Sequence, residues 1–129
     1  MKKYPLFPAP CNHDYDNVDF PANAFPQRNY DVAYHQIFSM PVNGEAGGVP
    51  SNNTAYYSFD IGNIHFLSLN SYGKEEGVYR LYDTLSAQVQ WVKKDLEANK
   101  NKGWIVAYWH QPYSMGSHNS DNQLEVVKI

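Results

Sequence analysis

The sequence predicts a mixed α/β fold, and three observations along its second half support that class. Two runs rich in aromatic and β-branched side chains, residues 55–60 and 63–71, lie on either side of a short turn and predict a β-hairpin. An amphipathic segment that ends at Gly103 then predicts a helix. The apolar run at residues 104–109 follows and predicts a buried strand in a sheet flanked by helices.

The second strand of the predicted hairpin is apolar on both faces. Successive side chains of a strand point to opposite faces, so His65, Leu67 and Leu69 share one face and Phe66 lies on the other. Apolar groups on both faces are typical of a sheet that is covered on both sides. The turn between the two strands is predicted at residues 61–62.

The predicted helix begins at Ser86, whose hydroxyl can cap the first turn. Four apolar side chains recur at spacings of four and three residues and predict its buried face: Leu85, Val89, Val92 and Leu96. The charged residues between them are expected to face solvent. Residues 72–85, which precede the helix, predict a loop.

The first half of the chain predicts one short helix between loops. Asp31 is its expected N-cap and Pro41 its stop, and His35 within it is expected to be structural. Residues 15–29 predict a long polar surface loop, of a kind that is often functional. Residues 42–54 are rich in glycine but lack the Gly-Lys-Ser/Thr ending of a P-loop, so they predict only a connection.

Composition and charge exclude several classes of protein. Hydrophobic residues make up 43% of the 129 positions, which indicates a globular chain and predicts a single domain, residues 1–129. A net charge of -3 without long runs of lysine or arginine argues against a nucleic-acid partner. No apolar run approaches a membrane span, and residues 1–8 lack the apolar core of a signal peptide. The single cysteine, Cys11, excludes an internal disulfide and a zinc–thiolate cluster.

The stretch Asn12-His13-Asp14 places an amide, an imidazole and a carboxylate in consecutive positions. Asn12 offers an oxygen to a metal ion, His13 a proton that titrates near neutral pH, and Asp14 an acceptor that can orient the imidazole. The alternative is a plain turn in which Asn12 and Asp14 bond to the backbone. A hydrolase with Cys11 as nucleophile and His13 as base is disfavoured, because residues so close in sequence do not align easily and no oxyanion hole is evident.

Two further histidines follow the last predicted strand. His110 lies where that strand ends, and ligand sites of layered α/β folds form at strand ends. His118 lies farther along, in a loop with proline and glycine. The alternative for His110 is a strand-end histidine bonded to the backbone, and for His118 an exposed loop residue.

Four blocks keep a characteristic order along the chain: Asn12-His13-Asp14, the hairpin at residues 56–71, the helix with Gln90-Trp91, and the strand that ends at His110. Together they resemble the calcineurin-like metallophosphoesterases. The nearest branch is that of the purple acid phosphatases, in particular their secreted bacterial members. The order of the blocks is more specific than any one motif, and it spans nearly the whole chain.

The resemblance implies a β-sandwich with flanking helices, whose strand-end loops hold a dinuclear centre of iron, zinc or manganese. It implies metal-dependent hydrolysis of phosphate esters, as in acid phosphatases and phosphodiesterases, by a metal-bound hydroxide. A phosphate ester is therefore the expected substrate, and no nucleic acid or membrane is an expected partner. Because the similar bacterial proteins are exported, an extracellular or periplasmic location is expected.

The same resemblance implies roles for five residues. Asn12 and His110 correspond to metal ligands. His13 corresponds to the histidine that contacts the phosphate and protonates the leaving group, and Asp14 to the acidic residue beside it. His118 corresponds to a histidine that contacts the substrate, although its interval from His110 is one residue short.

The sequence also departs from the family pattern. Cys11 stands where the family has glycine, and its side chain is expected to crowd the turn. The upstream aspartate and Gly-Asp motifs and the downstream Gly-His-x-His motif are not found in residues 1–129. We therefore expect a partial metallophosphoesterase domain with an incomplete metal centre and an incomplete sheet, which is competent only within a longer protein.

An incomplete sheet exposes strand edges, and exposed edges favour pairing with a second copy of the chain. A homo-oligomer formed through these edges is therefore expected. The alternative function is a non-catalytic α/β module that binds phosphate or a protein partner through the same loops.

Overall fold

The computed structural model describes residues 5–15, 33–72, 74–75, 78–81 and 83–110. Its elements in chain order are a 3₁₀ turn at Asn12–Tyr15, helix α1 at Ala33–Ile37, strands β1 at Tyr57–Ile61, β2 at Ile64–Ser68, β3 at Lys74–Glu75 and β4 at Val78–Tyr79, helix α2 at Ala87–Asn99 and strand β5 at Trp104–Tyr108. The mixed α/β class is confirmed. The predicted N-cap Asp31 and nearly all of the predicted loop at residues 15–29 lie outside the described residues.

The main sheet has three strands, with β2 between β1 and β5. β1 runs antiparallel to β2, and the predicted hairpin is confirmed. Ile61 pairs with Ile64, so the turn falls on Gly62 and Asn63, one residue later than predicted. The φ of Gly62 is +60°, a left-handed conformation that glycine adopts without a steric penalty. β5 runs parallel to β2.

Apolar side chains cover both faces of the hairpin, as the sequence predicted. One cluster lies between the sheet and α2 and consists of Ala55, Tyr56, Leu67, Leu69, Leu81 and Trp91. The other lies on the opposite face and consists of Tyr34, Met40, Tyr57 and Phe59, with Phe7 and Phe66 packed against it. In the second cluster, the rings of Phe7 and Phe59 stack with centroids 3.8 Å apart. The sheet is thus the middle layer of three.

Helix α2 begins as predicted, since the Ser86 hydroxyl accepts a hydrogen bond from the backbone N–H of Val89 at 3.1 Å. The predicted buried face was wrong in part: Val89 is buried and Val92 packs against the core, but Leu85 and Leu96 are exposed. The face that packs on the sheet also carries the buried polar residues Gln88 and Asp95. Apolar spacing does not reveal this face, because polar side chains with specific partners occupy it.

A buried polar network explains how α2 can hold a carboxylate against the sheet. The His65 imidazole is fully buried, with Nδ1 2.8 Å from Asp60 Oδ1 and Nε2 2.5 Å from Asp95 Oδ2. Asp95 Oδ1 also accepts hydrogen bonds from the Ser58 hydroxyl at 2.9 Å and the Val49 N–H at 2.7 Å. The network therefore joins β1, β2, α2 and the loop before β1.

Asp60 lies at the solvent side of this network. Burial raises the pKa of Asp60, but hydrogen bonds from Lys102 and His65 outweigh it and hold this pKa below its ordinary value. The loop beside it has the predicted irregular structure, and its Gly48 has a φ of +87°. A Cβ on Gly48 would lie 1.9 Å from Ser58 Oγ, so only glycine lets the loop approach the network this closely.

The final strand was predicted correctly, but its predicted burial was wrong. β5 lies at the edge of the sheet that the described residues form, and Trp104 is 72% exposed. Ile105 and Val106 are exposed as well. An apolar run indicates a strand, but it does not indicate how much of that strand the rest of the chain covers.

The segment between the hairpin and α2 was predicted to be a loop, which was wrong in part. Lys74 pairs with Tyr79 and Glu75 with Val78 in a small antiparallel ladder. Strands of two residues are too short for an alternating pattern to reveal them. Over the residues that the structure describes, no helix has the length and apolar character needed to span a membrane.

Candidate functional site

The Asn12–Tyr15 turn, here called the motif turn, carries the predicted site residues nearest the start of the chain. The backbone N–H of Asp14 donates to the Cys11 carbonyl at 3.2 Å, and the Cys11 N–H donates to Asp14 Oδ2 at 2.7 Å. Asp14 thus braces the turn through the backbone of Cys11. These two bonds fix the local shape of the backbone that carries Asn12 and His13.

Cys11 is half-buried at the start of this turn. Among the described residues, Asn52 is the only non-glycine residue with a positive φ, so Cys11 does not occupy a conformation reserved for glycine. The backbone geometry therefore accommodates the cysteine. The expectation that its side chain crowds the turn remains a prediction.

The segment before the motif turn is fastened to the end of the sheet by hydroxyl groups. The Pro8 carbonyl accepts hydrogen bonds from Tyr34 at 2.9 Å, Tyr57 at 2.7 Å and Ser68 at 3.1 Å. The neighbouring Phe7 carbonyl accepts one from Tyr108 at 2.8 Å. Burial raises the pKa of both Tyr34 and Tyr57, so these phenols stay protonated and remain donors.

The far end of the motif turn is held against the rest of the chain by Tyr15, its last residue. Its ring is buried and stacks on Tyr72, with the centroids 5.7 Å apart and the planes 8° from parallel. Its hydroxyl lies 3.1 Å from Asn70 Nδ2 and 3.3 Å from His35 Nε2. Asn70 lies two residues beyond the end of β2, so the motif turn lies at the end of the sheet where β2 terminates.

His110 lies at that same end. It follows β5 by two residues and is exposed. Ser68 pairs with Tyr108 at the last register position, and the Leu69 N–H donates to the Tyr108 carbonyl at 3.0 Å. Because β2 and β5 are parallel, their carboxyl ends lie at the same end of the sheet. The structure therefore brings the motif turn and His110 to the same end of the sheet, where β2 and β5 finish. His118 lies outside the described residues.

The sequence suggested a structural role for His35, and the structure gives that role its contacts. His35 Nδ1 lies 2.5 Å from the Thr54 hydroxyl, and its ring lies beside the ring of Tyr15. Burial, followed by the charge of Arg80, lowers the pKa of His35 to about 4. The participation of Tyr15, Asn70 and the Pro8 carbonyl in holding the motif turn was missed. No sequence pattern reports contacts between segments so far apart along the chain.

The donor set in the described residues does not complete a dinuclear metal centre. Among them, no three His, Cys, Asp or Glu side chains are grouped so that they could hold a metal ion. The predicted ligands Asn12 and His110 supply one amide oxygen and one imidazole nitrogen, both neutral. Two neutral donors do not offset the charge of two metal ions.

No protein-family model matches the chain. Individual relatives do match. Purple acid phosphatase 15 of Arabidopsis thaliana is 42% identical over 84 residues, which cover 63% of this chain and 14% of the relative. Purple acid phosphatase 23 of the same plant is 36% identical over 90 residues, which cover 67% of this chain and 17% of the relative.

A third relative extends the match along more of the chain. Purple acid phosphatase 18 of Arabidopsis thaliana is 29% identical over 113 residues, which cover 86% of this chain and 21% of that protein. The chain thus spans only a small part of the length of the relatives it matches. These relatives are plant proteins and give no support to a bacterial branch. The chain is therefore similar to a part of these purple acid phosphatases.

Proposed function

We propose that this chain supplies part of the active site of a metal-dependent phosphoesterase of the purple acid phosphatase type. The main support for this proposal is that the motif turn and His110 lie at the same end of the sheet, where β2 and β5 finish. The names of the chain's relatives identify them as acid phosphatases, which supports the same class of reaction. The substrate class is phosphate esters, either monoesters or diesters.

The residue roles in this proposal follow the sequence prediction. Asn12 and His110 would bind one ion of a dinuclear centre of iron, zinc or manganese, which polarises the ester and activates water when it is bound. His13 would contact the phosphate and donate a proton to the leaving oxygen, and His118 would contact the substrate. Asp14 would act beside His13, and its bond to the Cys11 N–H supports a role in holding the turn.

Three finer points belong to the same proposal. Residues 1–129 would form one partial metallophosphoesterase domain, and the other ligands would come from the rest of a longer protein. The parent protein would be extracellular or periplasmic, as in the secreted bacterial branch. The exposed edge of β5 would pair with a second copy when it is not otherwise covered.

Elemental analysis and a phosphatase assay test the proposed function. Manganese, zinc and iron are added separately to the purified chain and to a longer protein that contains it, with an aryl phosphate as substrate. We expect hydrolysis that a chelator abolishes and that Asn12→Ala and His110→Ala each reduce by about a hundredfold or more. Asn101→Ala, at an exposed turn position, is the matched control and should leave the rate unchanged.

A second candidate is supported by the two neutral donors, which suit weak binding better than catalysis. It is a non-catalytic module that binds phosphate or a protein partner through the same loops. Binding of inorganic phosphate that needs the motif turn, with no turnover in either protein under any of the three metals, would favour this candidate and contradict the phosphoesterase.

A further inference from the structure

The contacts around the Tyr15 hydroxyl fit an order in which the hydroxyl accepts from Asn70 and donates to His35. Asn70 Nδ2 can only donate, so the Tyr15 oxygen accepts from it at 3.1 Å. The hydroxyl hydrogen is then available to His35 Nε2 at 3.3 Å, and Nδ1 donates to the Thr54 hydroxyl at 2.5 Å. This order needs a neutral imidazole. Burial and the charge of Arg80 lower the pKa of His35 to about 4, so the ring is neutral at higher pH.

Asn70 is itself held in place by α2 and by the chain that follows it. Its Oδ1 accepts from the Tyr72 N–H at 3.0 Å, which establishes that Nδ2 is the atom facing Tyr15. Its own N–H donates to Gln88 Oε1 at 2.9 Å, and its carbonyl accepts from Gln88 Nε2 at 3.0 Å. The Tyr15 hydroxyl is therefore connected through one fixed amide to the end of β2 and to α2.

The motif turn cannot fix its own position against the sheet. A 3₁₀ turn of four residues has poor hydrogen-bond geometry and little stability alone. The bonds between Asp14 and Cys11 define its shape and lie within the turn. Among the described contacts, those that join it to the sheet are made by the Pro8 carbonyl before the turn and by the Tyr15 side chain within it.

We propose that Tyr15 is a positioning residue: its hydroxyl, held between Asn70 and His35, sets where the backbone of Asn12 and His13 stands relative to the sheet edge that carries His110. This inference rests on the proposed function, because Asn12 and His13 are the groups being positioned. The effect of the Tyr15 hydroxyl on the motif turn can nevertheless be measured without any catalytic activity.

The first experiment compares Tyr15→Phe with Tyr56→Phe by NMR of the full chain. Each change removes one hydroxyl from a buried tyrosine, but Tyr56 packs against Trp91 on the other face of the sheet. We expect Tyr15→Phe to keep the ring stack and the fold, and to speed hydrogen exchange at the Asp14 N–H about fivefold, since one hydrogen bond is lost. Chemical-shift changes should concentrate at Asn12 and His13. Tyr56→Phe should change neither.

A second comparison uses the acceptor on His35. His35→Gln keeps a side-chain oxygen that can accept from the Tyr15 hydroxyl, whereas His35→Leu does not. We expect His35→Leu to reproduce the exchange and shift changes of Tyr15→Phe and His35→Gln to reverse most of them. Equal effects of the two His35 variants would show that the burial of His35, and not its hydrogen bond to Tyr15, matters. That result would overturn the proposed order of hydrogen bonds from Asn70 through Tyr15 to His35.

The kinetic arm uses the metal-loaded protein that shows phosphatase activity. We expect Tyr15→Phe to lower kcat about tenfold with little change in KM, because misplacement of a reacting group affects the transition state more than binding. Unchanged kcat together with an unchanged Asp14 exchange rate would overturn the inference. If wild-type protein shows no activity, the proposed function fails, but the NMR comparison still decides whether Tyr15 positions the turn.

Discussion

At the scale of residues, the Pro8 carbonyl oxygen and the Tyr15 hydroxyl hold the motif turn against the end of the sheet. The Pro8 carbonyl accepts three hydroxyl donors, two of them from tyrosines whose burial keeps them protonated. The Tyr15 hydroxyl completes the attachment on the other side of the turn. The sequence identified Asn12, His13 and Asp14 by their chemistry, but it could not identify these anchors. A tyrosine or a proline carbonyl has no pattern that distinguishes an anchor from an ordinary core contact.

His35 gives the first prediction, which concerns pH. Its pKa is lowered to about 4 in the folded chain from an ordinary value of 6.5. The unfolded chain therefore binds a proton between these values that the folded chain does not, and the free energy of unfolding must fall as pH drops from about 6.5 to about 4. Above 6.5 the contribution of His35 is fully present.

Urea unfolding at a series of pH values measures this effect, with His35→Gln as the comparison. The variant should lose the part of the slope between pH 6.5 and 4 that belongs to His35. Identical slopes for the two proteins across that range would show that His35 is not held neutral by the fold.

At the scale of elements, helix α2 illustrates what periodicity can and cannot predict. Its N-cap Ser86 and its approximate length followed from sequence rules that depend on local chemistry alone. Its packing face did not, because Gln88 and Asp95 are buried by bonds to strands and loops distant in sequence. The same limit applies to β5, where a local apolar run identified a strand but not its place at the sheet edge.

Asp95 gives the prediction for this element. Asp95→Asn replaces one carboxylate oxygen by an amide NH2, so His65, Ser58 and the Val49 N–H cannot all keep their acceptor. Leaving a buried hydrogen-bonding group without its partner typically costs about 1–3 kcal/mol, so we expect a loss of roughly 2 kcal/mol in the free energy of unfolding. Denaturant titration measures it.

Glu97→Gln on the same helix is the matched control. Glu97 pairs with Lys100, but both side chains are well exposed, so its loss should change stability by no more than about 0.5 kcal/mol. Similar small losses for both variants would mean that the network does not fasten α2 to the sheet.

At the scale of the whole molecule, the sheet that the described residues form combines a covered hairpin with an exposed edge strand. The hairpin is covered on both faces, whereas β5 exposes Trp104, Ile105 and Val106. The fold class, the hairpin and the order of strands and helix could be predicted, because each rests on patterns within short segments. The exposure of β5 and the position of the motif turn and His110 at one end of the sheet both depend on long-range packing. The family resemblance anticipated them, whereas periodicity could not.

The exposed edge gives a prediction about assembly. Light scattering after size-exclusion chromatography should show a dimer whose population rises with protein concentration. Val106→Lys places a charge on the edge strand and should shift the equilibrium toward monomer. A monomer at all concentrations for wild-type protein would contradict pairing through β5.

The most direct test of a shared site at the sheet edge is titration with Mn²⁺, observed by NMR. A bound paramagnetic ion broadens only nearby signals, so small additions should broaden the backbone amides of Asn12 and His13 together with that of His110, and leave Asp60 and His65 at the opposite end sharp. His110→Ala should weaken the broadening at Asn12. Broadening at only one of the two segments, or broadening at Asn12 that is unaffected by His110→Ala, would show that the motif turn and His110 do not form one site.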